Sequence, residues 1–351
     1  MRESHPLAWL PGHGASEAPT RRSVLSLALL LICGSFVPIH AIVVAAGDPN
    51  ANLIVGSDPF FGGLDLSGVV EVSSSHGSCS GALLPDGLSI LTAGHCVADA
   101  FGSPDYANLQ ARFTGPTNNG PSTGGYLYIA ASAAFVNPGW TGNAALGGDL
   151  AVLRLSQTAP AYAARYSLYS GMLITTPIVM AGFGFGGTGL TGADPTNYPI
   201  NGALRAGTNE YVADGSDPRI GMTSQSLIGQ FYQAGNPSSN ALGVANPYNA
   251  ADEVDIAPGD SGGPSFYNGQ IIGVHDFITC YSDPSNPSLC AVPPSITTAE
   301  GSYFGQLFGD TSVAANASWI TAQESVPEPA TFGMMCLGLV AIAHATLRRA
   351  R

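Results

Sequence analysis

The amino-acid sequence predicts an all-β protein. Three observations carry that prediction. Apolar runs in the body of the chain are short, charged residues make up only 10% of the total, and glycine supplies 45 of the 351 residues. Many short strands joined by tight turns suit this composition better than long charged helices do.

Each element follows from its local pattern. Val69-Val70-Glu71-Val72, Ser89-Ile90-Leu91-Thr92, Tyr126-Leu127-Tyr128-Ile129, Leu150-Ala151-Val152-Leu153-Arg154-Leu155 and Ile178-Val179-Met180 are strand-length runs rich in apolar residues. Asn268-Gly269 separates Pro264-Ser265-Phe266-Tyr267 from Ile271-Ile272-Gly273-Val274. Asn-Gly between such runs predicts a hairpin. The body therefore reads as a sandwich or a barrel. One helix is expected near the end. Asp310 or Thr311 would cap it, and Val313, Ala317 and Ile320 would share a face at i, i+4 and i+7. Segments near 101–124, 191–201 and 233–250, rich in Pro, Asn and Gly, read as surface loops. Gly182-Phe183-Gly184 follows a strand-like run with no helix pattern after it, so it reads as a turn and not as a phosphate cradle.

Charge excludes one class of partner. The chain has no lysine, and its formal net charge is −13. Six of its eleven arginines sit in the terminal segments. Such a body repels phosphate, so no nucleic acid is expected. No metal-ligand spacing appears, and no cofactor is implied.

The two ends read as addresses. Arg21-Arg22 precedes the apolar run Ser23 to Ile32, followed by small residues. That order is the pattern of an export signal. Residues 1–46 are assigned to it, with a cut after Ala41 or Ala46, and 47–53 to a possible propeptide. Of the six cysteines, Cys79, Cys96, Cys280 and Cys290 fall in the body, and four cysteines permit three pairings.

Three short segments carry chemistry. Leu91-Thr92-Ala93-Gly94-His95-Cys96 ends a strand on a histidine. Gly147-Gly148-Asp149 places an aspartate just before a buried strand. Gly259-Asp260-Ser261-Gly262-Gly263-Pro264 sets a serine in a glycine-rich turn. A serine hydroxyl is a poor nucleophile at neutral pH. It needs a base to take its proton, and the base needs a partner that fixes its tautomer. Glycines leave backbone amides free to face a developing oxyanion. The serine segment also fits an α/β-hydrolase elbow. That fold requires a histidine after the serine and alternating helices, and the chain offers only His275 and the terminal His344, with no such helices.

In these motifs the sequence resembles the chymotrypsin/trypsin family. All three appear in the order His, Asp, Ser. The resemblance implies two six-stranded antiparallel β-barrels with a C-terminal helix, the first over 54–165 and the second, with the helix, over 166–324. It implies a secreted serine endopeptidase that hydrolyses peptide bonds through an acyl-enzyme. Ser261 would be the nucleophile, His95 the base and acid, and Asp149 its orienting partner. The amides of Gly259 and Ser261 would form the oxyanion hole. Cys79 and Cys96 match the pair that closes the histidine loop in the family, and Cys280 and Cys290 would join each other. Ile54-Val55-Gly56 resembles the family's mature N-terminus, so a zymogen cut before Ile54 would free an ammonium to pair with Asp260. Two specificity residues point in different directions. Asp255 implies cleavage after Arg or Lys. His275 resembles the histidine of glutamyl endopeptidases and implies cleavage after Glu. Two other functions use the same fold: a non-catalytic binding or scaffold protein, and an esterase.

Residues 325–351 resemble PEP-CTERM sorting signals of Gram-negative bacteria. Val326-Pro327-Glu328-Pro329 is followed by the mostly apolar stretch Thr331 to Leu347 and then by Arg348-Arg349-Ala350-Arg351. The resemblance implies a transmembrane helix, transient membrane association through it, processing by an exosortase-type enzyme, and a final place outside the cell or in its envelope.

Overall fold

The computed structural model describes residues 42–49, 57–58, 63–75, 77–98, 108–114, 126–280 and 301–324. Strand β1 (Ile42–Val44) comes first, then the short pair β2 (Ser57–Asp58) and β3 (Leu64–Asp65). The first barrel contains β4 (Val69–Ser74), β5 (Gly77–Leu83), β6 (Ser89–Thr92), β7 (Gln110–Thr114), β8 (Tyr126–Val136) and β9 (Ala151–Leu155). It closes in the order β4-β5-β6-β9-β8-β7, all pairs antiparallel.

The second half runs β10 (Pro177–Gly182), β11 (Gly186–Thr188), β12 (Gly192–Ala193), β13 (Arg205–Asp214), β14 (Ser226–Gln230), β15 (Val254–Asp255), β16 (Pro264–Tyr267), β17 (Gln270–Thr279), β18 (Leu307–Ser312) and helix α1 (Val313–Glu324). Its barrel closes in the order β10-β13-β14-β18-β17-β16. The fold is thus mostly β, two closed six-stranded antiparallel barrels with one C-terminal helix, as in chymotrypsin-like proteins.

The first barrel fills with Val70, Leu83, Leu91, Phe113, Val152 and Leu153. The same cluster continues through Phe183, Phe266 and Val274 of the second half into Val313 and Ile320 of α1. Each fully buried Val, Leu or Ile contributes about 1.5–3 kcal/mol of burial energy. A second core under β10, β13, β14, β17 and β18 takes in Ile178, Met180, Tyr211, Leu227, Ile272 and Phe308, with Ile42 and Val44 of β1. Strand β1 lies between β11 and β15 in a four-stranded sheet of its own.

The Asn268-Gly269 hairpin forms between β16 and β17, with both residues at positive φ (47° and 75°), as a type I′ turn requires. The helix starts later than its expected caps. Asp310 and Thr311 are taken up by barrel pairing in β18, and Ser312 Oγ accepts from the Ala315 amide at 3.4 Å. Val313 and Ile320 of the expected face are fully buried, Ala317 is only partly so, and Asn316 is the third buried residue of the helix. The span expected as a loop at 101–124 contains β7. Its Gln-Ala-Arg-Phe-Thr run alternates faces, but polar neighbours hid the pattern.

The export signal up to residue 41, Ile54, Cys290 and the sorting signal lie outside the described residues. No helix among the described residues is long and apolar enough to cross a membrane, and the expected span at 331–347 lies outside them.

Candidate active site

His95 sits on a single 3-10 turn, Gly94–Cys96, just after β6. Asp149 lies two residues before β9. Antiparallel pairing of Thr92 with Ala151 brings those two strand ends together, so a histidine after one and an aspartate before the other become neighbours. The turn is tied to β5 by the disulfide between Cys79 and Cys96.

Asp149 is fully buried and commits both oxygens to His95. Oδ1 accepts from the His95 amide at 2.8 Å, and Oδ2 faces Nδ1 at 2.5 Å. Burial works to raise the Asp149 pKa. The hydrogen bond and charge of His95, with a further hydrogen bond from Asp276, outweigh it and hold the carboxyl below its usual value. The imidazole keeps a solvent-facing side, its side chain 35% exposed, with the Trp140 ring 6.3 Å away.

Ser261 belongs to a turn of the second half that is gripped by the first barrel. The Ser80 amide on β5 donates to the Ser261 carbonyl at 2.8 Å, and Ser80 Oγ donates to the Gly259 carbonyl at 2.9 Å. Cys96 Sγ lies 3.6 Å from the same Ser261 carbonyl. Gly262 (φ +80°) is pressed so close that a Cβ there would lie 2.1 Å from Thr92 Oγ1. The serine turn and the histidine turn are therefore adjacent. Among the described residues, the amides of Gly259 and Ser261 and the Ser261 hydroxyl have no hydrogen-bond partner.

Around that turn the second barrel buries charge. Asp260 is fully buried and accepts from the amides of Gly184 (2.7 Å) and Ala257 (2.8 Å). Burial raises its pKa to about 6, against those amides and the positive fields of His275 and Arg205. Arg205 on β13, which the sequence reading left without a role, is fully buried and donates from Nε to the Pro49 carbonyl at 2.6 Å.

The two specificity candidates are both fully buried. Asp255 pairs with Val43 of β1 through the backbone, its Oδ1 accepts from the Ile256 amide at 2.9 Å, and its Oδ2 is buried without a partner. Burial, with the charges of Asp260 and Asp310 adding to it, pushes its carboxyl well above the usual range. His275 faces Asp310 Oδ1 through Nδ1 at 3.0 Å, while Nε2 is buried without a partner. Asp310 also accepts from Tyr211 Oη and Ser265 Oγ, each at 2.6 Å. Cys280 forms no disulfide among the described residues, and its expected partner Cys290 lies outside them.

Two groups among the described residues bring three potential metal-binding side chains within 4.8 Å. One is Cys79, His95 and Cys96, whose sulfurs are already bonded to each other. The other is His95, Asp149 and Asp276. Asp276 was missed in the sequence, although it directly follows His275.

Paired barrels, with a His–Asp couple on one and a glycine-framed serine turn of the other docked beside it, give the chain the architecture of chymotrypsin-like folds. Comparison with known families agrees. Residues 54–200 match the trypsin family model, which spans His95 and Asp149 and ends before Ser261. Residues 325–350 match the PEP-CTERM protein-sorting motif. The chain matches no curated relative. The trypsin domain supports a serine protease-type enzyme acting on protein substrates. The sorting motif implies exosortase processing and points to a secreted or envelope-targeted bacterial protein.

Proposed function

We propose that the protein is a secreted serine endopeptidase of a Gram-negative bacterium, with His95, Asp149 and Ser261 as its triad. One observation carries the reading: the buried Asp149 carboxylate holds both the amide and Nδ1 of His95 while the Ser261 turn is bonded into the same wall of the first barrel. With Nδ1 held as a donor, Nε2 is left as the base. It takes the Ser261 proton as Oγ attacks the scissile carbonyl, then protonates the leaving amine. The negative tetrahedral oxygen is received by the amides of Gly259 and Ser261, which have no other acceptor among the described residues. Water then releases the acyl group by the same path. In unliganded sites the base–nucleophile contact is commonly long and tightens with substrate.

A fluorophosphonate probe tests this reading. Labelling of the wild type and loss of labelling in Ser261→Ala and His95→Ala support it. A folded, processed wild type that stays unlabelled points to a scaffold, and turnover of esters without turnover of peptides points to an esterase.

Specificity rests on Asp255 and His275. Each keeps one buried polar atom without a partner. We take cleavage after Arg or Lys, through Asp255, as the reading to test with a mixed peptide library. Products ending in Glu transfer the role to His275, and products ending in neither class reject both. Activation by a cut before Ile54, with the new ammonium pairing to Asp260, is proposed on the motif alone. Such a cut leaves the fragment that carries β1 held without a covalent link, by sheet bonds, packing and the Arg205–Pro49 hydrogen bond, so the fragment ending at Leu53 should copurify with the active body. Export processing after Ala41 preserves β1, whereas a cut after Ala46 removes it. N-terminal sequencing of the active enzyme reads both sites.

A further inference from the structure

Asp276 follows His275 on β17. Successive residues of a regular strand face opposite sides of the sheet. Here the pairing of β17 with β18 shifts register between His275 and Phe277, leaving Asp276 as the extra residue of a bulge. Bulges re-aim side chains. His275 reaches Asp310 in the barrel interior, and Asp276 reaches the His95–Asp149 couple, with one polar atom of each of the three side chains within 4.8 Å of the others.

The hydrogen bonds around Asp276 are one short. Asp276 is only 6% exposed. Its Oδ2 accepts from Thr311 Oγ1 at 3.0 Å, while its Oδ1 is buried and receives no donor among the described residues. The charged or titratable groups facing it are Asp149 before β9, His95 after β6 and Asp310 on β18, with His275 beside it tied to Asp310. The His95 imidazole beside it already turns Nδ1 to Asp149. Two ionised carboxylates in contact and out of water repel strongly. A single proton relieves the repulsion and fills the open position. Asp149 keeps the charge, because two N–H groups of His95 point at it. Burial first, then the charge of Asp149, push the Asp276 carboxyl well above the ordinary range.

We propose that Asp276 retains its proton and donates it through Oδ1 to Asp149, extending the line Ser261–His95–Asp149 by one positioning residue. It touches no substrate. It fixes the carboxylate so that both bonds to His95 persist. The proposal rests on the peptidase reading, and the experiment separates the two.

Peptide hydrolysis by the full chain, processed as in its host, is measured for wild type, Ser261→Ala, Asp276→Asn and Asp276→Leu. Turnover that survives Ser261→Ala overturns the peptidase reading whatever the Asp276 variants do. With that reading intact, Asp276→Leu should lower kcat by about 10–100-fold with KM changed less than about threefold, since an orienting hydrogen bond acts on the transition state. Asp276→Asn keeps shape and a donor, so kcat should fall by no more than about threefold. The acid limb of kcat/KM reports His95. Exchanging a neutral acid for a neutral amide should leave that limb within about 0.3 pH units, whereas removing an ionised carboxylate beside the imidazole would lower it by about one unit or more. A limb lowered that far overturns the proposal, as does an Asn variant as damaged as Leu, or a Leu variant as active as wild type. Loss of activity on chelation, restored by a divalent cation, also overturns it, because it places an ion where the proton is assigned. Should Asp276→Leu fail to fold, thermal melting of Asp276→Asn decides. A retained proton makes the Asn variant melt above wild type at pH 9 and equal to it at pH 4. Equal melting at both pH values overturns the proposal.

Discussion

The two barrels share a strand count and little of their interior chemistry. Among the described residues of the first, Arg112 and Asp149 are the charged side chains buried, and each has an opposite partner, Glu71 and His95. The second buries Arg205, Glu210, Glu253, Asp255, Asp260, Asp276 and Asp310, with His275 among them. The first barrel is an apolar frame that delivers two side chains to one place. The second is a network of buried acids around the serine turn, and its acids outnumber its cations. The frame should therefore answer to packing, and the network to pH.

The largest expected effect lies where the two meet. Ser261→Ala or His95→Ala should lower kcat by about 10⁴-fold or more, and Asp149→Asn by about 10⁴-fold through the wrong imidazole tautomer, read in steady-state assays, with melting unchanged for Ser261→Ala. If Asp149→Asn retained wild-type turnover, the first barrel would not be delivering a working base.

Next comes the frame. The Cys79–Cys96 bridge closes a loop of sequence separation 17. Replacing both cysteines by alanine should cost about 3 kcal/mol in denaturant unfolding, with a matching loss of activity as the His95 turn loosens. Gly262→Ala should cost about 2 kcal/mol or more, since the new Cβ meets Thr92 Oγ1, the Ser80 carbonyl and the Ala93 amide at once in a backbone already at positive φ. A neutral result there would mean that the serine turn is not docked as described.

The smallest effect tests the network. Burial raises the Glu253 pKa to about 8 and that of Asp260 to about 6. A carboxyl raised on folding stabilises fully below its unfolded pKa, and that contribution disappears as pH rises through the folded value. Stability from these groups should therefore decline between about pH 4 and about pH 8. Asp149, lowered on folding, works in the opposite sense and loses its contribution only as the solution becomes strongly acidic. Glu253→Gln should melt like wild type near pH 4 and gain about 1 kcal/mol or more near pH 9. A gain of equal size at both pH values would indicate relief of packing and not of charge.

Much of this was legible because it is local. The Asn268-Gly269 turn needs two positive φ values, and those residues supply them. The Thr92-Ala93-Gly94-His95-Cys96 and Gly259-Asp260-Ser261-Gly262-Gly263-Pro264 segments name the chemistry through residue types that each step requires. Strand β7 escaped because its polar residues weaken the alternation, and the helix caps were misplaced because Asp310 and Thr311 serve a barrel strand first.

By itself the sequence determined the all-β class and the punctuation of the chain, and it nominated a nucleophile, a base and an acid. Those depend on neighbours one to four residues apart. Only the tertiary structure decided that Asp276 meets Asp149 across more than a hundred residues, that Arg205 lies near Asp260, and that β1 is part of the working fold. The physical reason is that a buried charge is defined by what excludes water from it and what faces it, and both are supplied by barrel closure and a bulge whose partners lie far away in the chain.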